Sequence, residues 1–179
     1  MINRTETDYI GECNVPANAL YGIHSQRAAE IFPFKSPFNL HWYKAVGLTK
    51  LACYQTIEKF KQSAETKFDL KKLNIRLPEN QVLQAMQTAA AEMHEGLHFE
   101  YFLVSALQGG AGTAINLNCN EIIANRALQI LGEAPGNYQL IDPLNDANLY
   151  QSTNDVIPTA LKLAVMGLLN SLEESINQL

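Results

Sequence analysis

The sequence predicts a mainly α protein, on three observations. Apolar residues recur at helical spacing in four stretches. Proline and glycine stand where helices begin and end, at Pro78, Gly96, Gly132 and Pro158. The last stretch is an apolar stripe for which the rest of the sequence holds no partner.

Residues 1–38 are turn-rich, punctuated by Pro16, Gly22, Pro33 and Pro37. They read as an irregular segment with one small hairpin near residues 9–21. From Asn39 the period changes. Trp42, Ala45, Val46, Thr49, Ala52, Cys53, Thr56 and Phe60 predict a helix over residues 40–62. Residues 63–76 are polar and read as a loop, with Lys71, Lys72 and Arg76 solvated. A second helix runs from Pro78 to about Gly96 and carries Val82, Leu83, Met86, Ala89, Ala90 and Met93. Residues 99–107 suit helix or strand equally. A glycine-dense turn follows at residues 108–113. A third helix then carries Ile115, Ile122, Ile123, Ala127, Ile130 and Leu131, capped by Gly132.

Residues 133–155 form a long loop rich in Asn and Asp, a kind of segment that often carries function. The last helix is expected to start near Pro158, capped by Asp155 or a neighbour. Its stripe is Leu161, Val165, Leu168, Leu169, Leu172, Ile176 and Leu179. At about 1.5–3 kcal/mol per side chain, burial would contribute roughly 10–20 kcal/mol. No stop signal follows Leu179, so the helix is expected to continue in a longer protein. Cut here, it should fray, pack back on the domain or pair with a copy of itself.

Composition bounds the function. The chain is 47% apolar, enough for a core, and only 17% charged, which points to surface destined for an interface. The net charge of −5, with no basic stripe, argues against a nucleic-acid partner. There is no long uninterrupted apolar run to cross a membrane and no signal-peptide pattern. Three dispersed cysteines, Cys13, Cys53 and Cys119, fit a reduced, cytoplasmic chain. His94 and His98 stand four apart, but no third ligand accompanies them, and a packed or surface pair fits better than a metal site. Neither a metal nor a cofactor is called for.

Two segments carry possible chemistry, each at a helix start. Gln108-Gly109-Gly110-Ala111-Gly112-Thr113 lets backbone amides converge beside a positive helix end, which suits an anion; the plain alternative is a tight packing turn. The dinucleotide pattern fails because Ile115 stands where a third glycine belongs, and no Lys follows to make a P-loop. Gln151-Ser152-Thr153-Asn154-Asp155 offers hydroxyl and amide donors in a row, although these are also ordinary capping residues. Two such starts, with no Lys or Arg beside them in sequence, suit a carboxylate or an enediolate-like oxyanion held by neutral donors.

These residues, together with Asn116, Asn118, Asn120 and Glu121, resemble the first two shared segments of the aspartase/fumarase superfamily. Val15-Pro16 and Tyr21-Gly22-Ile23-His24 with Arg27-Ala28 resemble the family's amino-terminal segment, so the likeness covers nearly the whole chain. The resemblance implies the amino-terminal lyase domain over residues 1–154, with residues 155–179 opening a central helix bundle, assembled as a homotetramer. It implies reversible anti-elimination from a dicarboxylate to fumarate. Thr113, Ser152, Thr153 and Asn154 would bind the substrate. The serine base, the Lys and Asn clamp and a His near the leaving group would lie beyond residue 179, so the chain alone should be inactive.

The motif wording is nearer to the ammonia-lyase branch than to the class II fumarase branch, which tends to have Ser at the position of Ala111 and Ser-Ser-Asn at residues 152–154. A hydratase, or a non-catalytic anion-binding or oligomerisation module on the same scaffold, remains the alternative. Four departures leave open a divergent substrate, weak activity or the non-catalytic module. Leu149 replaces a usual Lys, Asp142 a fumarase His and Ala114 a Ser or Gln, and the loop at residues 63–76 is long.

Overall fold

The computed structural model describes residues 2–32, 34, 36–72, 75–108 and 110–178, apart from the side chain of Lys71. Pro33, Gly109 and Leu179, named above, fall outside them.

A hairpin opens the chain. Strands β1 (Asn3–Asp8) and β2 (Gly11–Pro16) pair antiparallel, with Asn3 opposite Pro16 and Asp8 opposite Gly11. Asp8 Oδ1 accepts from the Ile10 and Gly11 amides and closes the turn. The hairpin therefore lies ahead of its expected place at residues 9–21. The inward face of β1 is ionic rather than apolar, although Val15 of β2, opposite Arg4, is buried beside it. Arg4 lies 2.7 Å from buried Glu6 and donates to the carbonyls of Pro16, Ala17, Ala19 and Tyr21. Apolar periodicity has no purchase on such a strand.

A helix follows that the sequence reading left irregular, α1 (Ile23–Ile31). Its cap residue, Gly22, supplies no side chain. Its leading amides are satisfied from afar: Glu121 accepts from the amides of Gly22, His24 and Ser25, and Glu6 accepts from Ile23. A helix start completed by a carboxylate 99 positions away leaves no local signature.

Helix α2 (Leu40–Glu65) begins where expected, with Asn39 Oδ1 accepting from His41 and Trp42, and ends three residues late. It lies antiparallel to α3 (Asn80–His94). Lys61 Nζ at its far end donates to the Pro78 carbonyl, while a Cβ at Gly47 near its start would come within 2.6 Å of the His94 amide. Only glycine permits that approach. Between them, Leu70–Lys72 form a 3-10 turn. Arg76 is not merely solvated: its guanidinium pairs with buried Asp146 at 2.7 Å.

The ambiguous stretch is neither long helix nor strand. Phe99–Tyr101 make a 3-10 turn, and the chain then runs extended without a ladder. Phe38, Trp42, Tyr43, Phe99 and Phe102 stack there at centroid distances of 4.4–6.2 Å.

Helix α4 (Thr113–Ile130) is the buried centre. Its end is a Schellman cap: Gly132, at φ +82°, donates to Gln129 and Glu133 donates to Leu128. Four asparagines lie buried along it, at 116, 118, 120 and 125. Their amides serve the surrounding loops. Asn118 bonds the backbone of Tyr101 and Leu103, and Asn125 that of Leu20 and Gly136.

Helix α5 spans Thr153–Asn177, five residues earlier in start than expected. Ser152 is its cap, with Oγ accepting from Asn154, and Pro158 lies inside it. Val156, Ile157, Ala160 and Ala164 are buried in the common core, and α5 packs on α2. From Val165 to Gln178 every residue is exposed, including Leu168, Leu169, Leu172 and Ile176. Over residues 165–178 the helix neither frays nor packs back on the domain, two of the three outcomes expected, while its first half packs on the core. By length and composition alone it could cross a bilayer, although its first half serves as core.

Candidate functional site

The two donor-rich segments meet. Gly110, Ala111 and Gly112 line one wall of a cleft of about 300 Å³, and Asn154, Ile157 and Pro158 line the other, with Trp42 and Gln108 beside them. Gly110 and Gly112 take φ of +69° and +80°, and a Cβ at Gly112 would stand 3.1 Å from Ile157. Glycine is therefore required both for the turn and for the closeness of α5. Gly112 caps α4 without any side-chain bond, so this helix start is undressed. Pro158 has no amide hydrogen, so the Asn154 carbonyl cannot take its usual helical bond.

The four expected site residues play different parts. Asn154 lines the cleft and is exposed. Thr113 is exposed at the first residue of α4. Ser152 Oγ accepts from the Asn154 amide, which leaves its O–H to donate outward. Thr153 Oγ accepts from Asn116 Nδ2 at 3.1 Å, tying α5 to α4. Of this segment only Asn154 lines the cleft; Ser152 is exposed and Thr153 half-buried next to it. What the two segments offer together is a small open space bordered by neutral donors and helix starts, suited to a carboxylate.

Sequence reasoning missed the cation. Lys50 of α2 is fully buried, and its Nζ donates to Gln151 Oε1 at 3.0 Å, directly behind Ser152. Burial pulls its pKa down from 10.5 to about 8, against a small upward pull from Cys119 and Cys53. Gln151 Nε2 in turn donates to the Ala147 carbonyl, which also accepts from Tyr54. The signal was present: Val46, Lys50 and Tyr54 follow one another at four-residue steps on a stripe that is wholly buried. So the donors are neutral at the cleft, but an ammonium stands behind them.

The departures are also placed. Leu149 is buried. Asp142 Oδ1 caps a turn by accepting from Leu144 and Asn145. His94 and His98 part company, His94 toward the Lys44 carbonyl and His98 toward Glu92. Among the described residues no three His, Cys, Asp or Glu side chains gather as a metal site. A larger groove of about 480 Å³ runs between α2 and α5, lined by Leu48, Cys53, Ile57 and Leu163 with Gln151 and Asp155 of the second segment. No described residue of the glycine turn reaches it, so it does not join the two segments.

A helical domain with two glycine- and hydroxyl-marked helix starts bordering one cleft agrees with the family to which this chain belongs, described as Lyase, which matches residues 11–179. It is 41% identical over 174 residues to an aspartate ammonia-lyase of a Bacillus species, covering 96% of this chain and 34% of that relative. The Escherichia coli aspartate ammonia-lyase is 35% identical over 98% of this chain and 34% of its own length. A class II fumarate hydratase of Halobacterium salinarum is 39% identical over 90% of this chain and 31% of its own. The fold agrees. A solved fumarate lyase:delta crystallin from Brucella melitensis superposes with a TM-score of 0.86 at 35% identity, over 98% of this chain and 38% of that one. The chain thus spans about a third of the length of the curated relatives it matches.

Proposed function

We propose that this chain forms the amino-terminal part of a cytoplasmic ammonia-lyase that reversibly deaminates L-aspartate to fumarate and ammonia. The meeting of the glycine turn with Asn154 at one cleft, with Ser152 and Thr153 next to Asn154 at the same helix start, carries the reading, and the aspartate ammonia-lyase relatives support it. Anti-elimination removes the proton at C3 and spreads the electron pair into the neighbouring carboxylate. That carboxylate gains charge in the transition state. Thr113, Ser152 and Thr153 donate to it, while Asn154 lies beside the leaving amino group. Ser152 and Thr153 already accept from Asn154 and Asn116, so each hydroxyl has its proton to give. The base belongs to parts of the longer protein outside these residues. Residues 155–179 begin a helix bundle, and the open stripe Leu168, Leu169, Leu172 and Ile176 meets partner helices in a homotetramer.

Assay of the full-length protein with aspartate and with malate, following fumarate absorbance, tests this. Turnover of aspartate alone is expected; turnover of malate alone would favour the hydratase, and turnover of neither the non-catalytic module. Thr153→Ala should lower kcat/KM by about 10²-fold or more, the usual loss for one donor to a developing oxyanion. An unchanged kcat/KM would remove the role assigned to Thr153.

A further inference from the structure

Thr153 is held by a chain of amides whose direction is fixed at its far end. The Gln151 carbonyl can only accept, so the group 3.0 Å from it must be Asn148 Nδ2. That turns Asn148 Oδ1 toward α4, where it accepts from Asn116 Nδ2 at 2.9 Å and from Asn120 Nδ2 at 3.3 Å. The second hydrogen of Asn116 Nδ2 then has one place to go, Thr153 Oγ at 3.1 Å. Rotating the Asn116 amide would set its Oδ1 against Asn148 Oδ1 at the same 2.9 Å. The Gln151 side chain is oriented just as firmly, between the donor-only Lys50 ammonium and the acceptor-only Ala147 carbonyl. This order leaves the buried Oδ1 atoms of Asn116 and Asn120 without a protein partner, so it does not maximise bonding within the network.

We infer that Asn148 and Asn116 are positioning residues that hold Thr153 Oγ as an acceptor on its protein side, committing its hydroxyl proton to the bound carboxylate. The inference rests on the reading of Thr153 as a ligand donor. Neither asparagine touches substrate; each acts through the direction of one hydroxyl. A threonine free to rotate would present a lone pair to an anion part of the time, whereas a threonine already receiving a hydrogen bond presents its proton.

Steady-state kinetics of the full-length protein with aspartate test it. Asn116→Asp keeps the size and reverses the direction: a carboxylate only accepts, so Thr153 must turn its proton inward and the bond to Asn148 Oδ1 is lost with it. Its kcat/KM should fall about as far as in Thr153→Ala, about 10²-fold. The double variant should fall no further than Thr153→Ala alone, because both changes remove one and the same donor. Asn120→Ala is the control: it shares the Asn148 contact and leaves Thr153 alone, so kcat/KM should stay within about twofold. A purely structural network predicts otherwise, with equal losses at Asn116 and Asn120, and that result would overturn the inference. So would parental kcat/KM in Asn116→Asp, or losses that multiply in the double variant. If Asn116→Asp fails to fold by circular dichroism, Asn148→Ala frees the same amide, and parental kcat/KM there overturns the inference equally. The underlying reading fails separately: Thr153→Ala with parental kcat/KM ends the assigned role of Thr153, and the relay's purpose with it.

Discussion

The start of α1 and the starts of α4 and α5 present the same backbone amides to opposite surroundings. At α1 the protein supplies its own carboxylate. Glu121 is fully buried and accepts from the Gly22, His24 and Ser25 amides, the Ser25 hydroxyl and the His24 ring, while Glu6 takes the Ile23 amide. At α4 the cap is a bare glycine, at α5 a single serine, and a cleft lies between. One site shows what a filled helix start looks like from within the chain; the other has the same physics and room for a carboxylate from outside. The first should therefore carry stability and the second function.

The largest break in that contrast is Glu121→Ala. It strips five donors of their acceptor in the core, and chemical denaturation should show a loss of about 3–5 kcal/mol. A loss under about 1 kcal/mol would mean that α1 is not held this way. Lys50→Met addresses the open side. Lys50 carries its charge in the core below about pH 8, whereas the unfolded chain keeps its proton up to about 10.5. Between those values the unfolded state binds more protons, so folding stability rises with pH. The rise should be about 2 kcal/mol from pH 7 to pH 10 relative to Lys50→Met, measured by denaturation across that range. Equal pH slopes for the two proteins would show that burial does not lower the pKa of Lys50.

His24 gives a smaller effect at the filled site. Its hydrogen bond to Glu121 raises its pKa above 6.5, against a downward pull from burial. The stabilisation is full below the unfolded value and lost as pH rises through the folded one, so His24→Gln should flatten a decline that begins above pH 6.5. Thr113→Ala is the smallest for the fold and sharpens the comparison most. Thr113 is exposed at an open helix start, so stability should move by less than about 0.5 kcal/mol while turnover of the full-length protein falls. A large loss of stability there would make Thr113 a structural cap after all.

Legibility followed the range of the interactions. Helices α2, α3 and α4 were readable because their apolar faces, the Asn39 cap and the Gly132 terminator lie within a turn or two of one another. The β1 strand and α1 were not. One buries an Arg4–Glu6 pair instead of apolar residues, and the other is capped by a carboxylate 99 positions away. The α5 start was misplaced because Pro158 looked like a first-turn residue, whereas Ser152 provides the cap. The functional segments were legible as donor-rich helix starts, because glycine and hydroxyl residues announce themselves locally.

What the sequence determined by itself is thus the helical class, the placement of most helices and the two donor-rich helix starts. Each rests on neighbours within a few positions, where periodicity and capping operate. Tertiary structure alone decided that those segments meet at one cleft, that Lys50 donates to Gln151, and that Asn148, Asn116 and Thr153 join in one line of hydrogen bonds. Hydrogen-bond direction in a buried network depends on which donors and acceptors meet in space, and the partners here come from α2, α4, the loop before α5 and α5 itself.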